Sequence, residues 1–242
     1  MDAINANSLT KRYGTLTALD GLDLTVRDGE LLALLGVNGA GKTTTIKLLS
    51  CLMTPTSGSA TIYGHDIHTQ AQKARSLLAT SPQETAVAPN LTVSENLELM
   101  AGIYGASIVD AKEMATNMIN EFNLSSIAHT KARKLSGGWQ RRLSIAMALI
   151  SQPKLLFLDE PTLGLDILAR RELWSIVRGL KGKTTIILTT HYLEEAEALS
   201  DRIGILSKGK LTALGTAQEL IEISGEKNFE DAFVVLAGGG SV

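Results

Sequence analysis

The chain has 242 residues, 44% of them apolar and 20% charged, with a net charge of −2. That length admits one large α/β domain or two small ones with a real core, and the near-neutral balance excludes the electrostatic footprint of a DNA- or RNA-binding protein. The single cysteine, Cys51, excludes an internal disulfide, and no apolar run approaches the roughly 18 residues of a membrane-spanning helix.

Met1–Ser8 has neither the basic start nor the apolar run of a secretory leader. Leu22–Arg27 then alternates apolar and polar like a half-exposed strand, and Asp28-Gly29 turns into the apolar run Leu31–Leu35, expected to be a fully buried strand. Directly after it, Gly36-Val37-Asn38-Gly39-Ala40-Gly41-Lys42-Thr43-Thr44 satisfies the pattern of a phosphate-binding loop. Glycines let the backbone bring successive N–H groups to phosphate oxygens; the lysine reaches the β- and γ-phosphates and the Thr43 hydroxyl suits Mg²⁺. The four fixed positions would arise by accident in about one chain of this length in a hundred, at ordinary glycine usage.

A helix is expected over Lys42–Cys51, with Cys51 as a small buried apolar residue, and short strands over Ser59–Ile62 and Leu77–Thr80. From about Leu91 to Ala132 the pattern is helical, best over Val93–Tyr104 and Asp110–Phe122, and interrupts the strand–helix rhythm like an insert at about 88–135. Two basic runs, Lys131–Lys134 and Arg141-Arg142, read by themselves as solvated helix ends or faces. Ser136-Gly137-Gly138 opens a long helix ending near Pro153; it could be a plain N-cap or, with its hydroxyl and exposed N–H groups, a second anion site.

Lys154–Asp159 reads as a strand delivering Asp159 and Glu160 at its C-terminal end, where ligands of open α/β sheets collect. Neighbouring strand residues point oppositely, so the two carboxylates are expected to have different roles, Asp159 toward Mg²⁺ and Glu160 toward the attacking water. A helix over Ile167–Lys181, a buried strand over Thr184–Thr190 ending at His191, and a hairpin of Ile203–Ser207 and Lys210–Ala213 around Lys208-Gly209 follow. Gly238–Gly240 suggests a frayed tail. The alternation argues for an α/β fold with a mainly parallel sheet covered on both faces.

Leu135-Ser136-Gly137-Gly138-Trp139-Gln140, lying between a phosphate loop and Leu155–Glu160, resembles the nucleotide-binding domain of ATP-binding-cassette (ABC) proteins over about Ala3 to Ile223. The resemblance implies a P-loop NTPase with a mainly parallel central sheet, an N-terminal antiparallel β subdomain and an inserted α-helical subdomain. The domain would span 1–225, followed by a C-terminal extension, 226–242. It implies ATP and Mg²⁺ sandwiched in a head-to-tail dimer, expected to be a homodimer, where Ser136, Gly137 and Gly138 of one subunit cap the ATP held by the other's loop.

Residue by residue, Tyr13 is similar to the aromatic that stacks on adenine, Gln83 to the loop glutamine that contacts Mg²⁺ and senses the membrane partner, and His191 to the switch histidine at the γ-phosphate. Leu163–Asp166 resembles the loop that crosses the dimer interface, although Asp166 could equally cap the next helix. Trp139 departs from the family pattern, where Gln is commoner. Softer cues (Thr92–Leu97, Ile103–Gly105, Arg141–Ala146 and Asn228–Phe233) resemble ATPase subunits of bacterial type 2 exporters, which implies a peripheral position on the cytoplasmic face of a membrane through a separate permease. The rival readings are weaker. A DNA-repair or chromosome ATPase would need a long coiled coil for which Lys42 to Ser136 leaves no room, a translation factor would carry two cassettes in tandem, and a soluble kinase would leave Ser136–Gly138 unexplained.

Overall fold

A computed structural model describes residues 1–239. Gly240, Ser241 and Val242 lie outside the described residues, and with them the end of the expected Gly238–Gly240 tail and of the extension.

The chain begins with two long strands that the alternation only half reveals: β1 (Asp2–Tyr13) and β2 (Leu16–Arg27) form an antiparallel pair. β3 (Leu31–Leu35) leads into the phosphate loop and α1 (Lys42–Leu49). β4 (Ser57–Ile62) and the two-residue β5 (His65–Asp66) complete a four-stranded antiparallel sheet in the order β2-β1-β4-β5. α2 (Ala71–Arg75) and β6 (Leu78–Ser81) return the chain to the main sheet. The helical block is α3 (Val93–Ile103), α4 (Ile108–Glu121) and α5 (Gly137–Leu149). β7 (Leu155–Asp159), α6 (Ile167–Leu180), β8 (Thr185–Thr190), α7 (Leu193–Leu199), β9 (Arg202–Ser207) and β10 (Lys210–Gly215) follow, and α8 (Ala217–Ser224) and α9 (Phe229–Val234) close the described chain.

The main sheet has the order β10-β9-β3-β8-β7-β6; all its neighbours pair in parallel except β10, which turns back on β9. β3 shows why a strand can be apolar without interruption. Leu32 and Leu34 pack with the antiparallel sheet and α1, Leu31 with the helical block, and Ala33 and Leu35 with α7–α9. Both faces are therefore buried, as a parallel strand in a covered sheet requires. The helices begin where the sequence can cap them. Thr92 with Glu95, and Thr216 with Glu219, form capping boxes before α3 and α8. Asp166 does cap α6, its carboxylate accepting from the Ala169 N–H at 2.9 Å.

Two local expectations are corrected. Cys51 is not inside α1: the helix ends at Leu49, and Cys51 follows its cap in left-handed backbone, half-buried, with burial raising its thiol pKa. Arg141-Arg142 are not solvated but buried. From Leu143 onward α5 is buried on every face and apolar except for Ser144, the mark of a helix sunk in a core, and the two arginines preceding that run share its burial.

Candidate functional site

The parallel strands deliver four loops to one edge of the sheet. β3 ends at the phosphate loop, β6 at Gln83, β7 at Glu160 and β8 at His191. Between them lies a cavity of about 700 Å³, lined by Tyr13, Asn38–Thr44, Gln83, Glu160 and His191, with Leu16–Ala18, Leu163 and Lys208 completing the wall. This size suits a small-molecule or cofactor ligand. Two glycines make the loop possible. A Cβ on Gly36 would run into the Leu206 carbonyl; one on Gly41, at φ +109°, would meet the Ala18 carbonyl at 2.7 Å.

The charged residues at this edge are wired together. Lys42 Nζ donates to the Gly36 carbonyl at 2.7 Å and the Val37 carbonyl at 3.3 Å, and sits 3.1 Å from Glu160 Oε1. The other carboxylate oxygen of Glu160 lies 2.6 Å from His191 Nδ1. Asp159 Oδ1 accepts from Thr189 Oγ1 at 2.6 Å and lies 3.5 Å from Thr43 Oγ1. Thr189 Oγ1 also accepts the Glu160 N–H at 3.1 Å, so one hydroxyl fixes both acids.

Asp159 and Glu160 do diverge, for a different reason than strand alternation. β7 stops at Asp159, and Glu160 adopts left-handed backbone at φ +48°, swinging its side chain to Lys42 and His191. For a residue with a Cβ this costs about 1–3 kcal/mol and persists only where the surroundings enforce it. Here the Thr189 bonds do so.

Ser136, Gly137 and Gly138 do not line this cavity. Ser136 and Gly137 are exposed; Ser136 holds the N-cap position of α5, yet its hydroxyl makes no capping bond. Gly137 lines a neighbouring cleft of about 380 Å³ with Gln83, Arg141, Glu160 and Leu163. A Cβ on Gly137 would meet nothing within 4 Å, so the space before the helix is open. Tyr13 is 45% exposed on the cavity rim, its hydroxyl 2.9 Å from Met53 Sδ. Trp139 packs against the helical core and carries the Arg142 guanidinium 4.5 Å over its ring, while Arg142 pairs with Glu172 of α6.

Sequence reasoning missed Thr189 and Arg141. The Arg141 guanidinium, 3% exposed, donates to the carbonyls of Asp159 (2.7 Å), Pro161 (2.9 Å), Gln83 (3.3 Å) and Pro82. It thereby brackets Glu160 on both sides and holds the Gln83 loop against it. Burial lowers the Arg141 pKa to about 10, opposed by the charges of Asp159 and Glu195. The available signal was the run Leu143–Leu149, apolar except for Ser144, that follows Arg141 in α5. For Thr189 the signal was a pair of threonines ending an otherwise apolar strand beside the acidic one.

The sequence and the fold match known proteins. The family model described as "ABC transporter" matches residues 19–163. The chain belongs to the ABC transporter family. Its fold is that of the family's ATPase domains. Among curated relatives, this ABC protein is 42% identical over 219 residues to the daunorubicin/doxorubicin resistance ATP-binding protein DrrA of Streptomyces peucetius, covering 90% of this chain and 66% of that protein. It is 40% identical over 239 residues to the probable multidrug ABC transporter ATP-binding protein YbhF of Escherichia coli (strain K12), covering 96% of this chain and 41% of that one. The chain thus spans about two thirds of the length of the first relative and less than half of the second.

A solved ATP-binding subunit of an ABC transporter superposes with a TM-score of 0.84 at 31% identity, covering 97% of this chain and 99% of that structure. The ATP-binding cassette MJ0796, solved as a dimer in a post-hydrolysis state bound to ADP and Pi, gives a TM-score of 0.79 at 26% identity, covering 88% of this chain and 98% of that one.

Proposed function

We propose that this chain is the ATP-hydrolysing subunit of an exporter of the drug-resistance type, driving a separate permease through ATP-dependent dimerisation. Residues 1–225 would be the nucleotide-binding domain, with the helical insert at about 88–135, and 226–242 an extension. One observation carries the reading. The cavity holds Lys42, Glu160 and His191, while Ser136, exposed and with its hydroxyl uncapped, lies outside it beside the neighbouring cleft that Gly137 lines. A second copy placed head to tail would bring that hydroxyl, with Gly137 and Gly138, to the terminal phosphate of ATP.

The chemistry follows from the contacts. Phosphate oxygens would draw Lys42 away from Glu160 Oε1, turning that oxygen toward an attacking water while Oε2 stays on His191 Nδ1. With Nδ1 bonded to the carboxylate, His191 Nε2 is left for the γ-phosphate or the water. Tyr13 on the rim would stack on adenine. Thr43, Asp159 and the Gln83 amide are hard oxygen donors of the kind Mg²⁺ takes. Among the described residues no group of three or more acidic, His or Cys side chains is arranged to hold a metal, which suits an ion sharing its shell with phosphates and water. Bound there, the ion would supply charge neutralisation on the phosphates.

After hydrolysis the bridging phosphate becomes a separate anion and the two subunits part. The permease is proposed to dock near Gln83 and the helical block, where Ile103, Tyr104, Ile108 and Val109 are exposed at the α3–α4 junction. Among the described residues no helix is long and apolar enough to cross a membrane, so the membrane path would belong to that partner.

Mixing two inactive variants tests the sandwich. Lys42→Ala disables the phosphate loop and Ser136→Arg blocks the cap. A mixed dimer keeps one intact composite site of two, so an equal mixture should recover about a quarter of wild-type ATP turnover. No recovery on mixing, with both variants folded, would refute the head-to-tail arrangement.

A further inference from the structure

Behind Glu160 and His191 lies another buried carboxyl. Glu195, in α7, is wholly buried. Its Oε1 accepts the Trp174 indole N–H from α6 at 3.0 Å. Its Oε2 has no partner, nor has the Oγ1 of Thr162, buried two residues beyond Glu160. The hydroxyls of Thr162 and of Thr190, the residue before His191, are near enough to lower the pKa of this carboxyl without pairing with its Oε2, and Thr190 Oγ1 accepts the Tyr192 N–H at 3.0 Å. A buried oxygen and a buried hydroxyl left unpaired are each costly, and such groups persist in native proteins where they serve a function.

We propose that Glu195 is a positioning residue for ATP hydrolysis, its carboxyl tying the loop after Glu160, at Thr162, to α6 at Trp174 and to the end of β8 at Thr190. The inference rests on the reading of Glu160 as the group that orients the attacking water. From α6 and β8 come the indole and the Thr190 hydroxyl; the charged groups facing Glu195 are Glu160 and Arg141. Arg141 is already bound to four backbone carbonyls. Burial above all raises the Glu195 pKa and the Glu160 charge adds to this, against the pull of the two hydroxyls and the indole. Such surroundings favour the neutral form of Glu195. In that form its O–H can pair with the unpartnered Thr162 Oγ1 while its Oε1 keeps the indole, pinning from behind the loop that holds Glu160 in left-handed backbone.

Steady-state ATP turnover of the full chain tests this, with Glu160→Gln as the control. Glu195→Ala should lower kcat about tenfold with KM for ATP within about twofold, the pattern of a lost transition-state arrangement. Glu195→Gln, the shape of the neutral acid, should recover most of that loss. Thr162→Val should slow turnover in the same direction, and adding it to Glu195→Ala should slow it no further, because both remove the proposed Glu195–Thr162 pairing.

Stability gives an independent readout. The folded chain holds this proton above the ordinary value of 4.5, so wild type loses stability as pH rises from there. Glu195→Gln lacks that loss: its Tm should exceed wild type's near neutral pH, with the gap closing toward pH 4.5.

Full turnover by Glu195→Ala overturns the proposal, as does a Glu195→Gln variant as slow as Glu195→Ala or no more stable than wild type near neutral pH. If Glu195→Ala fails to fold, Thr162→Val and Trp174→Phe, which removes the indole N–H together with part of the ring, carry the turnover test, and wild-type kcat in both overturns it. Should Glu160→Gln keep full turnover, the reading of Glu160 falls instead. Glu160→Gln inert beside an unimpaired Glu195→Ala would remove only Glu195.

Discussion

The phosphate-loop region and the start of α5 handle their polar groups in opposite ways. Around the loop the central charged groups are engaged inside the chain: Lys42 with Glu160, Glu160 with His191, Asp159 with Thr189. At the start of α5 the hydroxyl of Ser136 and the open side of Gly137 point outward without an intramolecular partner, although the same helix sinks Arg141 among four carbonyls one turn later. A region that has satisfied itself can hold a ligand unaided. A region that leaves donors exposed at a helix N-terminus leaves them to water or to a partner brought to it. The contrast is between a complete half-site and its complement, and the proposed dimer joins one of each.

The strongest test of the self-satisfied region removes its central charge. Glu160→Gln keeps the shape of the carboxylate but cannot take a proton, so turnover should fall about 10²- to 10⁴-fold while ATP still binds. Phosphate release and nucleotide titration measure the two separately. Size-exclusion with ATP should show the variant as a persistent dimer, and a monomer with undiminished turnover would break the comparison on both sides. Lys42→Ala comes next. It deletes a cation that contacts two loop carbonyls and Glu160, and should weaken ATP binding about tenfold to a hundredfold, the cost of a lost charged hydrogen bond of about 1.5–3 kcal/mol. Unchanged affinity in a nucleotide titration would remove Lys42 from the site.

How the sequence announced these two regions differs too. The phosphate loop was legible because its demands fall on consecutive backbone positions, so glycines, lysine and threonine stand in a fixed local pattern. The acidic strand end was legible as composition but not as geometry. Asp159 and Glu160 part company through a left-handed turn that the Thr189 hydroxyl and the parallel pairing of β7 with β8 enforce, and both contacts are distant in sequence. The length of β1 and β2 was partly hidden because register shifts break the strict alternation that marks a strand. The short helices α2, α7 and α9, at five to seven residues, give too few turns for a helical period to emerge. Arg141 was misread because charge was weighed locally, whereas its burial is decided by the apolar run that follows it and by carbonyls from other segments.

Arg141 is also where the two regions meet, and it supplies the smallest of the expected effects. Its planar fork reaches the carbonyls of Asp159, Pro161, Gln83 and Pro82 together, and no other side chain offers donors in that spread. Lysine keeps the charge and three donors on a point but cannot span the carbonyls on both sides of Glu160. Arg141→Lys should therefore leave ATP affinity nearly intact and lower kcat by about tenfold or less, as expected when positioning is loosened while the reacting groups remain. It should also cost about 1–3 kcal/mol of stability, because at least one buried carbonyl loses its donor, read as a lower denaturant midpoint at unchanged slope. A lowered affinity with kcat unchanged would mean that Arg141 supports the phosphate loop rather than the Glu160 segment, and would move the junction between the regions from β7 to β3.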